Sequence, residues 1–308
     1  MFSETVLQLM AINCLLALSI YLTLACGQLS LANAAFMGMG AYLGASLTLN
    51  GNWPFLPTLL AAMVVPMAAA AIVGLPTLRL RGVFLAIATI GLGEVLRVII
   101  VNNAPGGAEG ISRIPVKTAN WHLLVALAGT LYLTWRLRGS RMGYAFEAIR
   151  EDETVAKTMG INTTAYKLAA FVLSAAIAGL AGALKAHLFR AITPGDYGFV
   201  LAVDILSFAV VGGSSSFLGP VLGAVLLTVL PELLRSQLLR GVVNIQAGWQ
   251  TQLLNGVILL LVILFLPNGL ISLFTRTRRR GTPRPSRPDA APGPAEHQAR
   301  ADAGAAAR

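Results

Sequence analysis

Ionisable side chains are scarce in the apolar parts of this chain, so the few present bound its chemistry. Glu94 and Arg97 are the only ionisable pair well inside an apolar run. Three residues apart on a helix, they share a face and can pair. One reading makes them a proton or substrate site. The favoured reading is a structural salt bridge, or an Arg97 that snorkels outward, because an isolated charge in lipid is expensive. Two polar breaks offer neutral groups instead. Gly27 to Asn33, GQLSLAN, and Gly212 to Ser216, GGSSS, interrupt long apolar runs. A polar solute crossing lipid needs hydrogen-bonding partners, which freed backbone groups and helix ends near mid-membrane can supply. Gln28, Ser30, Asn33, Gly213, Ser214 and Ser215 are therefore candidate residues of a translocation pathway. Helix packing and N-capping by serine are the plainer alternative. His122, His187 and His297 are scattered and make no metal set. No G-x-x-x-x-G-K-S/T run occurs in the sequence, so ATP binding by a phosphate loop is not expected. Cys14 and Cys26 lack metal or redox spacing and are expected to pack.

The remaining charge gathers in one interval. Ser140 to Asn162, SRMGYAFEAIREDETVAKTMGIN, carries Arg141, Glu147, Arg150, Glu151, Asp152, Glu153 and Lys157, with Gly143 and Gly160 near its ends. A helix over Ala145 to Met159 places Phe146, Ile149, Ala156 and Met159 on related turns. That apolar side can enter a cleft on a partner while the charges fix register. A solvated loop helix, or one lying on the membrane surface, is the alternative.

These residues sit in a chain built for lipid. Of 308 residues, 56% are hydrophobic and only 12% charged, against about 25% charged in a soluble domain. Mean hydropathy is +0.72. Apolar runs near the length of about 20 residues that a bilayer needs recur along it. The expected fold is an all-α polytopic membrane bundle of about 8–9 membrane segments, some broken or re-entrant, with a cytoplasmic coupling helix. Expected spans are Val6–Cys26, Phe55–Pro76 with Pro66 a kink candidate, Val83–Ile100, Trp121–Trp135, Tyr166–Leu188 and Leu253–Phe274. Residues 29–49 form a further membrane segment whose span or re-entry is open. Leu201–Leu234, broken at GGSSS, fits a re-entrant hairpin. Asn102–Asn120 and Ala191–Gly198 read as loops. The membrane domain is assigned to 1–275. Residues 276–308, rich in Pro, Ala and Arg, are expected to be disordered. No basic n-region precedes the first apolar run, so a cleaved signal peptide is not expected.

The net charge of +10 follows membrane borders rather than a nucleic-acid-binding face. Arg79, Arg81, Arg136, Arg138, Arg141, Arg150, Lys157, Lys167 and the tail arginines fall on one side. Arg113, Lys117, Arg190, Arg235 and Arg240 fall on the other, with Lys185 near the end of its span. The positive-inside rule makes the first side cytoplasmic. The charged interval and the tail are then cytoplasmic, and the loops at 102–120 and 191–198 face out. The chain's two breaks also echo each other. Each is an apolar run, a Gly/Ser interruption and a small-residue helix start, the pattern of paired broken helices beside a transport pathway.

GQLSLANAAFMGMGAYLGA, LRLRGVFLAIATIGLGEVLR, SRMGYAFEAIREDETVAKTMGINTTAYKLAAFVLSAAIAGLAGAL and VVGGSSSFLGPVLGAVLLTVLPELL resemble the LivM-type permeases of branched-chain amino acid ABC importers. The resemblance runs in order from about residue 10 to 275 of the sequence. It implies a permease in a bacterial cytoplasmic (inner) membrane, paired with a LivH-type permease, two cytoplasmic ABC ATPases and an extracytoplasmic substrate-binding protein. ATP and Mg would sit on the ATPases, with no cofactor on this chain and no catalytic residue in it. The coupling residues would be Phe146, Ile149, Arg150, Glu151, Asp152, Glu153, Ala156, Met159 and Gly160. Leu, Ile and Val are the implied cargo. Urea, short amides or other amino acids, and an ion-coupled carrier using Glu94, are the alternatives. One departure is that the Glu-Ala-Ala signature of many importer permeases is matched only at Ala156 and Gly160, where this chain reads Thr154-Val155-Ala156.

Overall fold

The computed structural model describes residues 4–51, 53–80, 82–103, 107–115, 118–214, 216–233, 256, 257 and 260. Helix α1 (Glu4–Ala25) is the axis of the bundle. Ile12, Leu15, Leu16, Leu18 and Ile20 are all buried, and they point in different directions around the helix. A helix apolar on every face is either covered by other helices or bathed in lipid, and α1 is mostly covered. Its cover comes from α5 (Asn120–Arg138), α8 (Thr163–Phe189), α9 (Phe199–Gly212) and α10 (Leu218–Leu233). Helices α2 (Asn33–Gly51) and α3 (Phe55–Thr77) pack along α8, and α4 (Val83–Asn103) leans on α2. Pro66 is accommodated inside α3, which runs through it.

Small residues set the closest approaches. A Cβ on Gly182 of α8 would overlap the Met37 carbonyl of α2, and one on Gly179 would overlap the Ala62 carbonyl of α3. Lipid gives helices no hydrophobic reason to associate, so close backbone contact must hold them together. The α9–α10 hairpin is built the same way. Side chains on Gly212, Gly219 or Gly223 would strike the opposite backbone.

The outer helices have the reverse character. Leu56, Leu60 and Ile72 on α3, Phe84 and Ile87 on α4, and Leu124 on α5 are exposed. Such an apolar exterior suits lipid as solvent. Five helical segments are long and apolar enough to cross a bilayer: α1, α3, α4, α8 and Pro194–Gly212, which joins a 3-10 turn to α9. Helices α2 and α5 have nineteen residues each but more polar or glycine content. The expected spans at 6–26, 55–76, 83–100, 121–135 and 166–188 each match a helix within a few residues. The expected span at 253–274 and the tail at 276–308 lie outside the described residues.

The all-α expectation needs one correction. The loop at 102–120 contains a 3-10 turn, Gly107–Glu109, and a strand β1 (Ile111–Ser112), which pairs antiparallel with β2 (Ala191–Ile192) from the other loop. Ile111, Ile114 and Ile192 are buried beneath this ladder. Those three apolar side chains give two otherwise polar loops something to bury.

Candidate coupling and translocation site

The charged interval is two helices rather than one. Helix α6 (Arg141–Glu151) begins at Ser140, whose hydroxyl accepts from the Gly143 N–H at 3.4 Å. Asp152 then leaves helical geometry, with φ −154° and ψ 112°. Its carboxylate accepts from Thr154 N at 2.7 Å and Val155 N at 3.1 Å, starting α7 (Glu153–Thr158). An aspartate at an N-cap satisfies donors that a helix start leaves free. Gly160, at φ +81°, ends α7. Ile161 N donates to Ala156 O and Gly160 N to Lys157 O, the paired bonds of a left-handed C-terminal cap.

This geometry corrects the expected docking face. Phe146, Ile149 and Ala156 are buried at 4%, 4% and 3% exposure, in one cluster with Cys26 and Ala170 of the same chain. The apolar side of α6 and α7 is used to seat them on the bundle. Tyr144, Val155 and Met159 are the large apolar side chains left exposed, beside exposed Glu147, Arg150, Glu151 and Asp152. Ala156 and Gly160, the two positions shared with the wider importer signature, therefore have separate structural reasons: a small side chain against the bundle, and a left-handed backbone.

Glu153 anchors the segment to α8. Lys167 Nζ lies 2.8 Å and Lys157 Nζ 3.1 Å from its carboxylate. Partial burial alone would raise the carboxyl pKa, but the lysine hydrogen bonds outweigh it and hold it at about 2. A depressed carboxylate stabilises the fold above its unfolded pKa of 4.5 and loses that contribution as pH falls toward 2. Glu153→Gln should therefore lower thermal stability at neutral pH. The gap from wild type, measured in detergent, should shrink below about pH 4.5 and close near pH 2.

Arg150 connects this segment to the second break. Its guanidinium donates to the Ser214 carbonyl at 3.0 Å and to the Ser214 hydroxyl at 3.4 Å. Arg138, the last residue of α5, donates to Ser216 Oγ at 3.3 Å. A Cβ on Gly27 would sit 3.2 Å from Arg150 Cα. Both breaks thus open at Arg150. Each starts at a left-handed glycine that stops a helix, Gly27 at φ +72° after α1 and Gly213 at φ +89° after α9. Ser214 and Ser216 of the second break are thus held by arginines of α6 and α5. Ser215 lies outside the described residues. Between α1, α5 and α6 an open crevice is lined by Tyr21, Thr134, Arg138, Phe146, Glu147 and Arg150.

The first break runs inward from Gly27. Gln28, Ser30 and Asn33 are all buried. Leu31 N donates to Thr89 Oγ1 of α4 at 3.0 Å, and Ser30 Oγ accepts from Ala32 N. Asn33 Nδ2 donates to Ser19 Oγ at 2.8 Å, and Ser19 donates in turn to the Ser174 carbonyl at 3.0 Å. The Gln28 amide has no hydrogen-bond partner of normal geometry among the described residues, and the Cys26 thiol is a polar neighbour. Asn33 Oδ1 is also unpartnered there. Buried polar atoms in native proteins are nearly always paired, so these amides mark the polar interior of the bundle.

Glu94 and Arg97 form the expected pair, with Arg97 Nε donating to Glu94 Oε2 at 2.7 Å. They line two small clefts between α4, α2 and the turn at 194–198. Sequence reasoning missed Ser19, Ser174 and Thr89, whose small hydroxyls sit inside apolar runs and carry no positional signal of their own.

A family model described as the permease component of branched-chain amino acid transport systems matches residues 2–266. The chain belongs to this permease family. The match covers the charged interval and both breaks, and ends before the arginine-rich tail. The chain is 33% identical over 288 residues to the high-affinity branched-chain amino acid transport system permease protein LivM of Salmonella typhimurium, and 32% identical over 288 residues to LivM of Escherichia coli. Each match covers 80% of this chain and 64% of the relative, so the chain spans just under two thirds of those proteins' length. Similarity to the permease protein LivH of Salmonella typhimurium is 32% over 148 residues, covering 48% of this chain and 45% of LivH. No solved structure matches the chain significantly.

Proposed function

We propose that this permease is the membrane subunit of an ABC importer that moves branched-chain amino acids, or related small polar solutes, into the cytoplasm. The observation that carries the reading is the bridge from Arg150 of the charged segment to Ser214 of the second break. A force applied to α6 and α7 reaches the α9–α10 hairpin through that contact. Separate ATPases, holding ATP and Mg, would apply the force at the exposed face of the segment. A LivH-type permease would complete the pathway, and an extracytoplasmic binding protein would deliver cargo. Gln28, Ser30 and Asn33 would line the inner part of the route, with Gly213 and Ser214 at its cytoplasmic end.

In this reading the protein is a multi-pass component of the bacterial inner membrane, with residues 140–162 and the 276–308 tail in the cytoplasm. Residues 1–275 form the permease domain of about eight to nine membrane segments. The ion-coupled alternative would use Glu94 as a proton carrier. Its pairing with Arg97, whose Nε lies 2.7 Å from Glu94 Oε2 on the same helix face, favours a structural role.

Uptake by the complete complex in sealed vesicles tests the reading. Leu, Ile or Val should enter only with ATP at the ATPase face, and a proton uncoupler should leave the initial rate unchanged. Uptake that continues without ATP and collapses with the uncoupler would make the chain a secondary carrier.

A further inference from the structure

We propose that the crevice between α1, α5 and α6 is a product site, which binds a free branched-chain amino acid from the cytoplasm and slows further import. This rests on the importer reading and the sidedness given above. The lining of the crevice is of two kinds. Leu22, Leu137 and Phe146 supply apolar wall, and Leu22 and Phe146 are themselves buried. Arg138, Glu147 and Arg150 supply charge of both signs, and all three are exposed. Apolar wall beside paired opposite charges matches one chemical class, a zwitterion with a short hydrocarbon tail.

The charges are available to such a ligand. Among the described residues, none of the three forms an ion pair. Arg138 donates to Ser216 Oγ, and Arg150 donates to the Ser214 carbonyl and hydroxyl. Each guanidinium keeps further N–H donors beyond these bonds. An α-carboxylate can accept from the arginines while the α-ammonium donates to Glu147, one turn before Arg150 on α6. The hydrocarbon tail then covers Leu22, Leu137 and Phe146. A solute that lacks the tail or either charge leaves part of this lining unmatched.

Occupancy acts on transport through Arg150. The guanidinium that faces the crevice is also the one that holds Ser214 of the second break. A carboxylate is a stronger acceptor for it than a neutral carbonyl or hydroxyl. Product in the crevice therefore draws Arg150 away from Ser214 and loosens the link from α6 to the α9–α10 hairpin. Cargo that accumulates inside slows its own entry. A phosphatidylethanolamine headgroup carries the same two charges, but its two acyl chains need more apolar wall than the crevice offers.

The complete importer in sealed phosphatidylcholine vesicles, with ATP inside and labelled valine outside, gives the test. Leucine enclosed with the ATP should lower the initial valine uptake by about fivefold or more at saturation. Enclosed N-acetyl-leucine, which lacks the ammonium, and enclosed glycine, which lacks the tail, should inhibit far less. Glu147→Gln should raise the half-inhibiting leucine concentration by about tenfold or more, and Glu147→Asp should fall between. Each rate is divided by the same variant's rate from leucine-free vesicles, so a change in activity alone does not register. Import that enclosed leucine leaves unchanged overturns the product site alone. Equal potency of leucine and N-acetyl-leucine on wild type, or of leucine on wild type and Glu147→Gln, places the inhibition elsewhere in the complex and also overturns it. So does an effect that appears only when phosphatidylethanolamine is added, which assigns the crevice to lipid. A wild-type complex that takes up no valine with ATP overturns the importer reading and this site with it.

Discussion

Gly182→Leu should leave almost no folded protein in the membrane. At that position α8 and α2 touch through backbone, and the new side chain would be built into the Met37 carbonyl. Overpacking a closed site costs about 1–3 kcal/mol when neighbours can move. Here the obstacle is main chain, so relief requires separating the two helices. That would undo the contacts of Met37 and Ala41, both buried at the same interface. Gly129→Leu on α5 is the matched control, because nothing lies within 4 Å of its Cβ position. Size-exclusion chromatography of detergent extracts reads the result. Gly129→Leu should elute as wild type, and Gly182→Leu should aggregate or be missing. Equal recovery of the two variants would contradict the packing described for α2 and α8.

Arg150→Gln should separate fuel consumption from transport. Hydrogen bonds from a charged donor contribute about 1.5–3 kcal/mol each, and Arg150 makes two to Ser214. Loss of only one such contribution from the coupled step slows it by about tenfold or more. The exposed apolar side chains Tyr144, Val155 and Met159 would be untouched, so hydrolysis should fall far less than uptake. Arg150→Lys keeps the charge but not the planar fork, and should fall between. Uptake and hydrolysis measured in the same vesicles give the ratio. A proportional fall in both, or no change in either, would remove Arg150 from the transmission path.

Much of the helix framework was legible in the sequence, because continuous apolar runs of membrane length have one stable form in lipid. The rest was hidden for identifiable reasons. FEAIREDETVAKT reads as one helix by propensity, yet the Asp152 carboxylate caps a new start and breaks it. Phe146, Ile149 and Ala156 have the spacing of an apolar face, but spacing alone does not say whether that face meets a partner or its own bundle. The bundle was the answer. The two-residue strands β1 and β2 are too short to leave a period-2 pattern. The arginine contacts of the GGSSS break were hidden because hydropathy ignores the reach of arginine. Arg138 and Arg150 extend to it from neighbouring elements. Glu94 and Arg97 were legible as a pair since both partners sit on one helix turn.

The central claim is that the charged segment meets a motor protein through the face it leaves exposed. Site-specific photo-crosslinking in the assembled complex tests this most directly. A crosslinking residue in place of Met159, which is 77% exposed, or of Tyr144, which is 66% exposed, should capture an ATPase subunit. The same residue in place of Phe146, which is 4% exposed, should capture only this chain. ATPase capture from Phe146, or from none of the three in a complex that transports, would contradict the account.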